Sequence, residues 1–230
     1  MSIFALVHGS CSKAWVWHKV IPELESVGHG AIAMDLPLEN PDAGASEYAD
    51  AVVKALDGLA EPPVLVGHSM AGLVIPVVAS SRPVQSLIFV AAALPKIGVS
   101  LRDRFRGDEN NMFQPDWPGK DPSRNREHAL HYVFHDCPPA LAEEAIAHQR
   151  PQASSRVMTE IPPFETWPKV PRASIVCSDD RTINPAWSRW ASRALLGVEP
   201  VEISGGHCPF FSRPEALARE LSRLASLVRG

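Results

Sequence analysis

Six short apolar runs, separated by segments whose apolar residues recur at helical spacing, constrain this chain more than any other feature. The runs are Ile3–Val7, Ala31–Met34, Val64–Val66, Leu87–Ala91, Ser174–Cys177 and Val201–Ile203. They are strand-length, mostly rich in Val, Ile, Leu or Phe, and lack polar alternation. Strands of that kind are covered on both faces, as in a parallel sheet. Between them, Val16–Val27, Glu47–Leu59, Ala71–Ser80, Ala186–Leu196 and Pro214–Val228 carry helical periodicity. In the last, Leu217, Leu221, Leu224 and Val228 share one face, opposite Arg219, Glu220, Ser222 and Arg223. Strand and helix in alternation predict an α/β fold, a mostly parallel sheet flanked by helices and joined by right-handed crossovers.

Residues 95–171 break the alternation. They hold 11 of the 22 prolines, a polar stretch at 102–111, and short amphipathic pieces around Asn125–Phe134 and Ala140–Gln149. The segment reads as an inserted, mostly helical cap (95–171) on a core made of 1–94 and 172–230. Composition agrees with a globular chain of 230 residues, 45% hydrophobic and 21% charged, and argues against disorder, collagen or coiled coil.

The net charge of −4 offers no attraction to phosphate backbones or anionic lipid, so neither nucleic acid nor membrane is an expected partner. The amino-terminal apolar run is short and lacks a basic flank, unlike a secretory signal. No apolar stretch approaches the roughly 20 residues of a membrane span. Cys11, Cys137, Cys177 and Cys208 are scattered, without the close pairs of a zinc site. Reduced thiols and a cytoplasmic location are expected. Oligomeric state stays open, a homodimer included.

The chemistry centres on Gly67-His68-Ser69-Met70-Ala71-Gly72, which follows the run at Val64–Val66 and precedes an apolar helical segment. Residues 67–71 read G-x-S-x-A, one small-residue change from the nucleophile elbow G-x-S-x-G. Such an elbow turns a strand sharply into a helix and exposes the serine oxygen at the sheet edge. Gly67, Ala71 and Gly72 leave room for neighbouring backbone, and the helix start directs N–H groups toward developing negative charge. A buried structural serine in a tight turn is the alternative reading. His8-Gly9-Ser10-Cys11 follows the first run directly. In an elbow-type site the oxyanion takes one N–H from the residue after the nucleophile and another from an earlier loop. Met70 and Ser10 occupy those positions.

His207, in Ser204-Gly205-Gly206-His207-Cys208-Pro209, follows the last run and belongs at the same sheet edge as Ser69. Its ordinary pKa near 6.5 suits a group that takes a proton and returns it. An acid should lie between Ser69 and His207 in chain order. The loop after Cys177 offers adjacent Asp179 and Asp180, and local spacing leaves the choice open. Three histidines, His128, His131 and His135, fall near one helical face, a pattern commoner in a solvated helix than in a metal patch. Trp117 and Trp167, with Met112, Phe113 and Phe134, are candidates to roof the site. Cys11 and Cys208 read as inert neighbours.

The sequence resembles the α/β-hydrolases related to plant methylesterases and hydroxynitrile lyases. The resemblance is carried by Val7-His8-Gly9-Ser10-Cys11 with Ala14-Trp15-Val16-Trp17, by Gly28-His29 and Ala33-Met34-Asp35-Leu36-Pro37, by Gly67–Gly72, by Asp180 with Pro185 and Trp190, and by Gly205-Gly206-His207. It covers both flanks, about two-thirds of the chain. It implies an α/β-hydrolase fold, a catalytic Ser69, His207 and Asp180, the oxyanion donors Ser10 and Met70, and neither cofactor nor metal. The spacing D-x-x-x-x-P-x-x-x-x-W places the acid on Asp180. The lyases of this group carry threonine at the position of Gly9 and lysine at that of Cys208. Both departures point to hydrolysis of a small ester or lactone by a serine esterase. Carbon–carbon bond hydrolysis or lyase chemistry at the same site is the alternative reaction, and a slow ligand-binding protein the alternative class.

Overall fold

In the computed structural model, which describes residues 1–106, 111–117 and 121–227, the six apolar runs form the strands of one sheet. They are β1 (Ile3–Val7), β2 (Gly30–Met34), β3 (Val64–His68), β4 (Ser86–Val90), β5 (Arg172–Cys177) and β6 (Val201–Ile203). Their order is β2-β1-β3-β4-β5-β6, and every pairing is parallel. Parallel neighbours require crossovers, and helices supply them. Along the chain these are α1 (Val20–Ser26), α2 (Ala45–Ala55), α3 (Ile75–Ser81), α4 (Leu101–Arg106), α5 (Arg126–His128, continued by a π turn through Val133), α6 (Pro139–Ala147), α7 (Arg156–Thr159), α8 (Pro185–Ala191), α9 (Pro209–Ser212) and α10 (Pro214–Leu227).

The pleat divides the apolar side chains between two cores. Phe4, Leu6, Val64, Val66, Ile88 and Val90 meet Val20 and Leu24 of α1 and Leu217, Leu221 and Leu224 of α10. Ala5, Val7, Leu65, Leu87 and Phe89 meet Tyr48 and Val52 of α2, Val77 and Val78 of α3, and Trp187 of α8. Burying each such side chain contributes roughly 1.5–3 kcal/mol before entropy is counted. Val228, the fourth member of the expected apolar face of α10, lies outside the described residues.

Two helices begin later than periodicity predicts, and proline is a shared cause. A 3-10 turn over Ala14–Trp17 precedes α1, whose third residue is Pro22. Proline lacks an N–H and fits only within a first turn. Likewise Ser69–Leu73 is a 3-10 turn, and α3 starts at Ile75 with Pro76 next. A third difference is α4, which falls in the expected polar stretch. Its Leu101 and Arg104 are both buried, with Arg104 Nη1 donating to the Leu94 carbonyl at 2.6 Å.

The strand order places the site. From β1 the chain goes outward to β2, returns past β1 to β3, and continues outward the other way. Loops leaving the carboxyl ends of β1 and β3 therefore diverge, which opens the crevice where open α/β sheets bind ligands. Val7 and Gly67 are register partners across that boundary.

Candidate active site

Ser69 follows the last residue of β3 with φ +52°, a left-handed conformation that a non-glycine residue seldom adopts. Its surroundings hold it there. The Ser69 carbonyl accepts the Ala93 N–H at 3.0 Å. A Cβ on Gly67 would lie 2.9 Å from the Ala71 carbonyl oxygen, and one on Gly72 would lie 2.3 Å from that of Ala93. The glycines are thus small because backbone passes over them, while the Ala71 methyl is fully buried without needing that closeness. Because a 3-10 turn follows Ser69, the expected α-helical dipole does not begin at the elbow. What the turn presents there is the Met70 peptide.

The loop after β1 lies against this elbow. A Cβ on Gly9 would fall 2.8 Å from Ser69 Cβ and 3.1 Å from His68 Nδ1, so a threonine there would displace the serine side chain or the loop. His8 ties the loop down. Its Nδ1–H donates to the Gly9 carbonyl at 2.8 Å, and Nε2 accepts from the Leu36 N–H at 3.0 Å. Both bonds need a neutral ring, and burial pushes the His8 pKa down to about 4. Ser10 and Met70, the expected oxyanion donors, both border one cavity beside Ser69.

From the other end of the chain comes His207, 4% exposed, between β6 and α9. Its Nδ1 is 2.8 Å from Asp180 Oδ2, and its Nε2 is 3.1 Å from Ser69 Oγ. Asp180 is 3% exposed, and its other oxygen accepts the N–H groups of Thr182 and Ile183 at 2.7 and 2.9 Å. A carboxylate so held has one free direction, toward the imidazole. Asp179 points elsewhere: its carboxylate accepts the Gly205 N–H at 3.2 Å and braces the loop before His207. Of the two aspartates left open by local spacing, the one 2.8 Å from the imidazole is Asp180.

His68, inside the elbow, is a site residue that sequence reasoning passed over. Its Nε2–H donates to the His207 carbonyl at 2.8 Å, which leaves Nδ1 bare and buried without a partner. Burial, reinforced by the nearby His207, holds its pKa well below the ordinary histidine value. His68 therefore stays neutral as a fixed anchor for the neighbouring ring.

The cavity has a volume of about 240 Å³. Residues of the 95–171 segment form much of its wall, among them Met112, Phe113, Trp117, Val133, Phe134 and Met158. Phe210 and Phe211 of α9 complete the apolar surface, and the Phe-Phe pair directly after the histidine loop was the available signal for them. Trp167 departs from expectation. It packs edge-on against Phe89 and Phe164 under the Arg172 guanidinium, in the core below the sheet edge.

Cys11 Sγ–H donates to Asp121 Oδ1 at 3.0 Å, and burial pushes that thiol up to about 12. Burial likewise raises the Cys208 thiol well above its ordinary value. Neither is a thiolate at neutral pH. His128 and His131 pack against the Tyr132 ring, while His135 lies against Gly206. Among the described residues no group of three or more His, Cys, Asp or Glu is placed to hold a metal ion. No described helix is long and apolar enough to cross a membrane.

An imidazole between a buried carboxylate and a strained serine, beside backbone amides and an apolar cavity, can deprotonate the serine hydroxyl toward an acyl carbon. Similarity to known proteins points the same way. The profile of the alpha/beta hydrolase family matches residues 4–220, so the chain belongs to that family. Methylesterase 2 of Arabidopsis thaliana is 29% identical over 254 residues, covering 96% of this chain and 95% of its own. Salicylic acid-binding protein 2 of Nicotiana tabacum is 25% identical, with 96% of each chain covered. Among solved structures, polyneuridine aldehyde esterase, as its H244A mutant, superposes with a TM-score of 0.81 at 21% identity, covering 97% of this chain and 98% of its own. A pyrethroid hydrolase does so with the same TM-score at 24% identity, covering 98% and 97%. These two likenesses concern the fold.

Proposed function

We propose that this member of the alpha/beta hydrolase family, a carboxylic ester hydrolase, cleaves a small apolar ester through an acyl-enzyme on Ser69. The observation that carries the reading is the unbroken line of contacts from Asp180 through His207 to Ser69, ending at the apolar cavity. In this mechanism His207 Nε2 takes the Ser69 proton as Oγ attacks the ester carbonyl. Asp180 holds Nδ1–H and stabilises the imidazolium. The developing oxyanion is met by the Ser10 and Met70 N–H groups, and each donor of this kind contributes roughly 3–4 kcal/mol to the barrier reduction. The imidazolium returns its proton to the leaving alcohol, and a water activated by His207 then releases the acid. No step calls for a metal or cofactor.

The similarity to plant methylesterases makes methyl esters the first substrates to try. Gly9 and Cys208 bear on the alternative reaction. Departing cyanide would need a positive charge beside His207, and the buried, un-ionised thiol of Cys208 provides none. The expected result with p-nitrophenyl acetate is a burst followed by turnover, with both lost in Ser69→Ala. Unchanged turnover in that variant would remove Ser69 as nucleophile. A serine-directed phosphonate should label the Ser69 peptide, and labelling elsewhere would do the same.

A further inference from the structure

Two glycines precede His207, and ester hydrolysis as described makes no use of them. Gly205 has φ +120°, a conformation side chains resist. Gly206 has a different constraint. A Cβ on it would lie 2.7 Å from Asp136 Oδ1 and 2.6 Å from His135 Cε1. Asp136 and His135 belong to the segment between β4 and β5, 70 residues away in sequence from Gly206. The Gly206 N–H donates to Asp136 Oδ2 at 2.8 Å, while Oδ1 is buried without a partner. The pair of glycines thus receives a carboxylate from the cap side.

This contact falls one peptide before His207. Two peptides later, the His207 carbonyl accepts from His68 Nε2. The backbone around the imidazole is therefore held on both sides, by the elbow after it and, before it, by Asp136 at Gly206 with Asp179 at Gly205. We propose that Asp136 is a positioning residue for His207, fixing the backbone through Gly206 so that the ring stays in line between Asp180 and Ser69. The Asp136 carboxylate is half-buried, and its buried, unpartnered Oδ1 is costly to keep, as unmet polar groups are. A bond that orients the general base accounts for its presence. Substitution should consequently act on the chemical step, because a displacement of about 1 Å in a reacting group can cost on the order of a hundredfold. The acyl-binding wall does not include Asp136, so substrate affinity should change little.

The inference rests on the serine-hydrolase reading, and p-nitrophenyl acetate tests both separately. Asp136→Leu, similar in volume but without an acceptor, should lower kcat by about ten- to a hundredfold with KM within about twofold, and slow phosphonate labelling of Ser69 in parallel. Asp136→Asn keeps an oxygen that can accept the Gly206 N–H, and should recover kcat to within about threefold of the parent. Asp136→Ala carries the same expectation as Asp136→Leu should the latter not fold. Undiminished kcat in the apolar variants, or an Asn variant as slow as they are, would overturn the inference. A rise confined to KM would overturn it too. Turnover that survives Ser69→Ala would instead overturn the serine-hydrolase reading. An inactive Ser69→Ala beside a fully active Asp136→Leu counts against Asp136 alone.

Discussion

The sheet and the segment between β4 and β5 differ in how they hold themselves together. Strands β3 and β4 are buried along their whole length, as β1 is beyond Ile3, and the sheet separates two apolar cores. The 95–171 segment has no core of its own among the described residues. Leu101, Met112, Val157 and Phe164 complete one sheet core, while Ala129, Val133, Phe134, Ala142 and Ala145 complete the other. It also reaches the two loops that carry His207 and Asp180. Asp136 holds the Gly206 N–H, and Gln114 Nε2 donates to the Asp180 carbonyl at 2.7 Å. The Asn184 N–H, just beyond Asp180, donates to the Met112 carbonyl at 2.7 Å. The segment that walls the cavity therefore also braces the loops that carry His207 and Asp180.

The largest test of that comparison is Ser69→Ala, which should reduce ester turnover by on the order of 10⁴-fold or more while leaving the melting temperature nearly unchanged. Loss of folding instead would mean that the serine is structural. Gly9→Thr comes next. With a Cβ position 2.8 Å from Ser69 Cβ, it should lower kcat/KM by about a hundredfold, the scale of a lost oxyanion donor. A fully active Gly9→Thr would show that the β1 loop takes no part.

Acid stability sharpens the core side of the comparison. His8 has a folded pKa near 4, below its unfolded value near 6.5, so unfolding takes up protons between them. Its contribution is complete above about pH 6.5, declines as pH falls through that window, and is lost by about pH 4, a change of about 3 kcal/mol. His68, shifted in the same direction, adds to the decline. Urea midpoints measured from pH 7.5 to 4 should fall with acidification, and a flat profile would contradict the neutral, doubly bonded His8. The smallest effect belongs to the cavity wall formed by the 95–171 segment. Trp117→Ala should change the preference between bulky and small acyl esters by about tenfold, within the range that pocket contacts supply, with the phosphonate labelling rate unchanged. An equal loss on every ester would place Trp117 with the bracing residues.

Much of this was legible in residue order. The six runs became strands within one or two residues, and Leu217, Leu221 and Leu224 of α10 are buried as their spacing requires. The elbow was legible because small residues are obligatory where an added Cβ would fall 2.3–2.9 Å from a backbone carbonyl oxygen, as at Gly67 and Gly72. Helix α4 was not, since its buried Arg104 reads as solvent-facing until the Leu94 carbonyl and the Trp187 ring are seen beside it. Trp167 is a candidate for the cavity roof by its place in the 95–171 segment, yet it packs against Phe89 and Phe164, because position in the chain does not say which way a ring faces.

Residue order by itself determined the strand and helix alternation, the order of a serine, an aspartate of the 179–180 pair and His207, and the two glycines before the histidine. Each follows from a local rule of periodicity, turn chemistry or motif spacing. Tertiary structure brought Asp180, the aspartate that the family resemblance singles out, to the imidazole, and decided that His68 and Asp136 hold the backbone on either side of it and which aromatic side chains line the cavity. Those outcomes depend on contacts between residues tens to more than a hundred positions apart, such as Asp136 with Gly206 or His68 with His207. No local pattern encodes such distances, because they are set by where the sheet order brings the loops together.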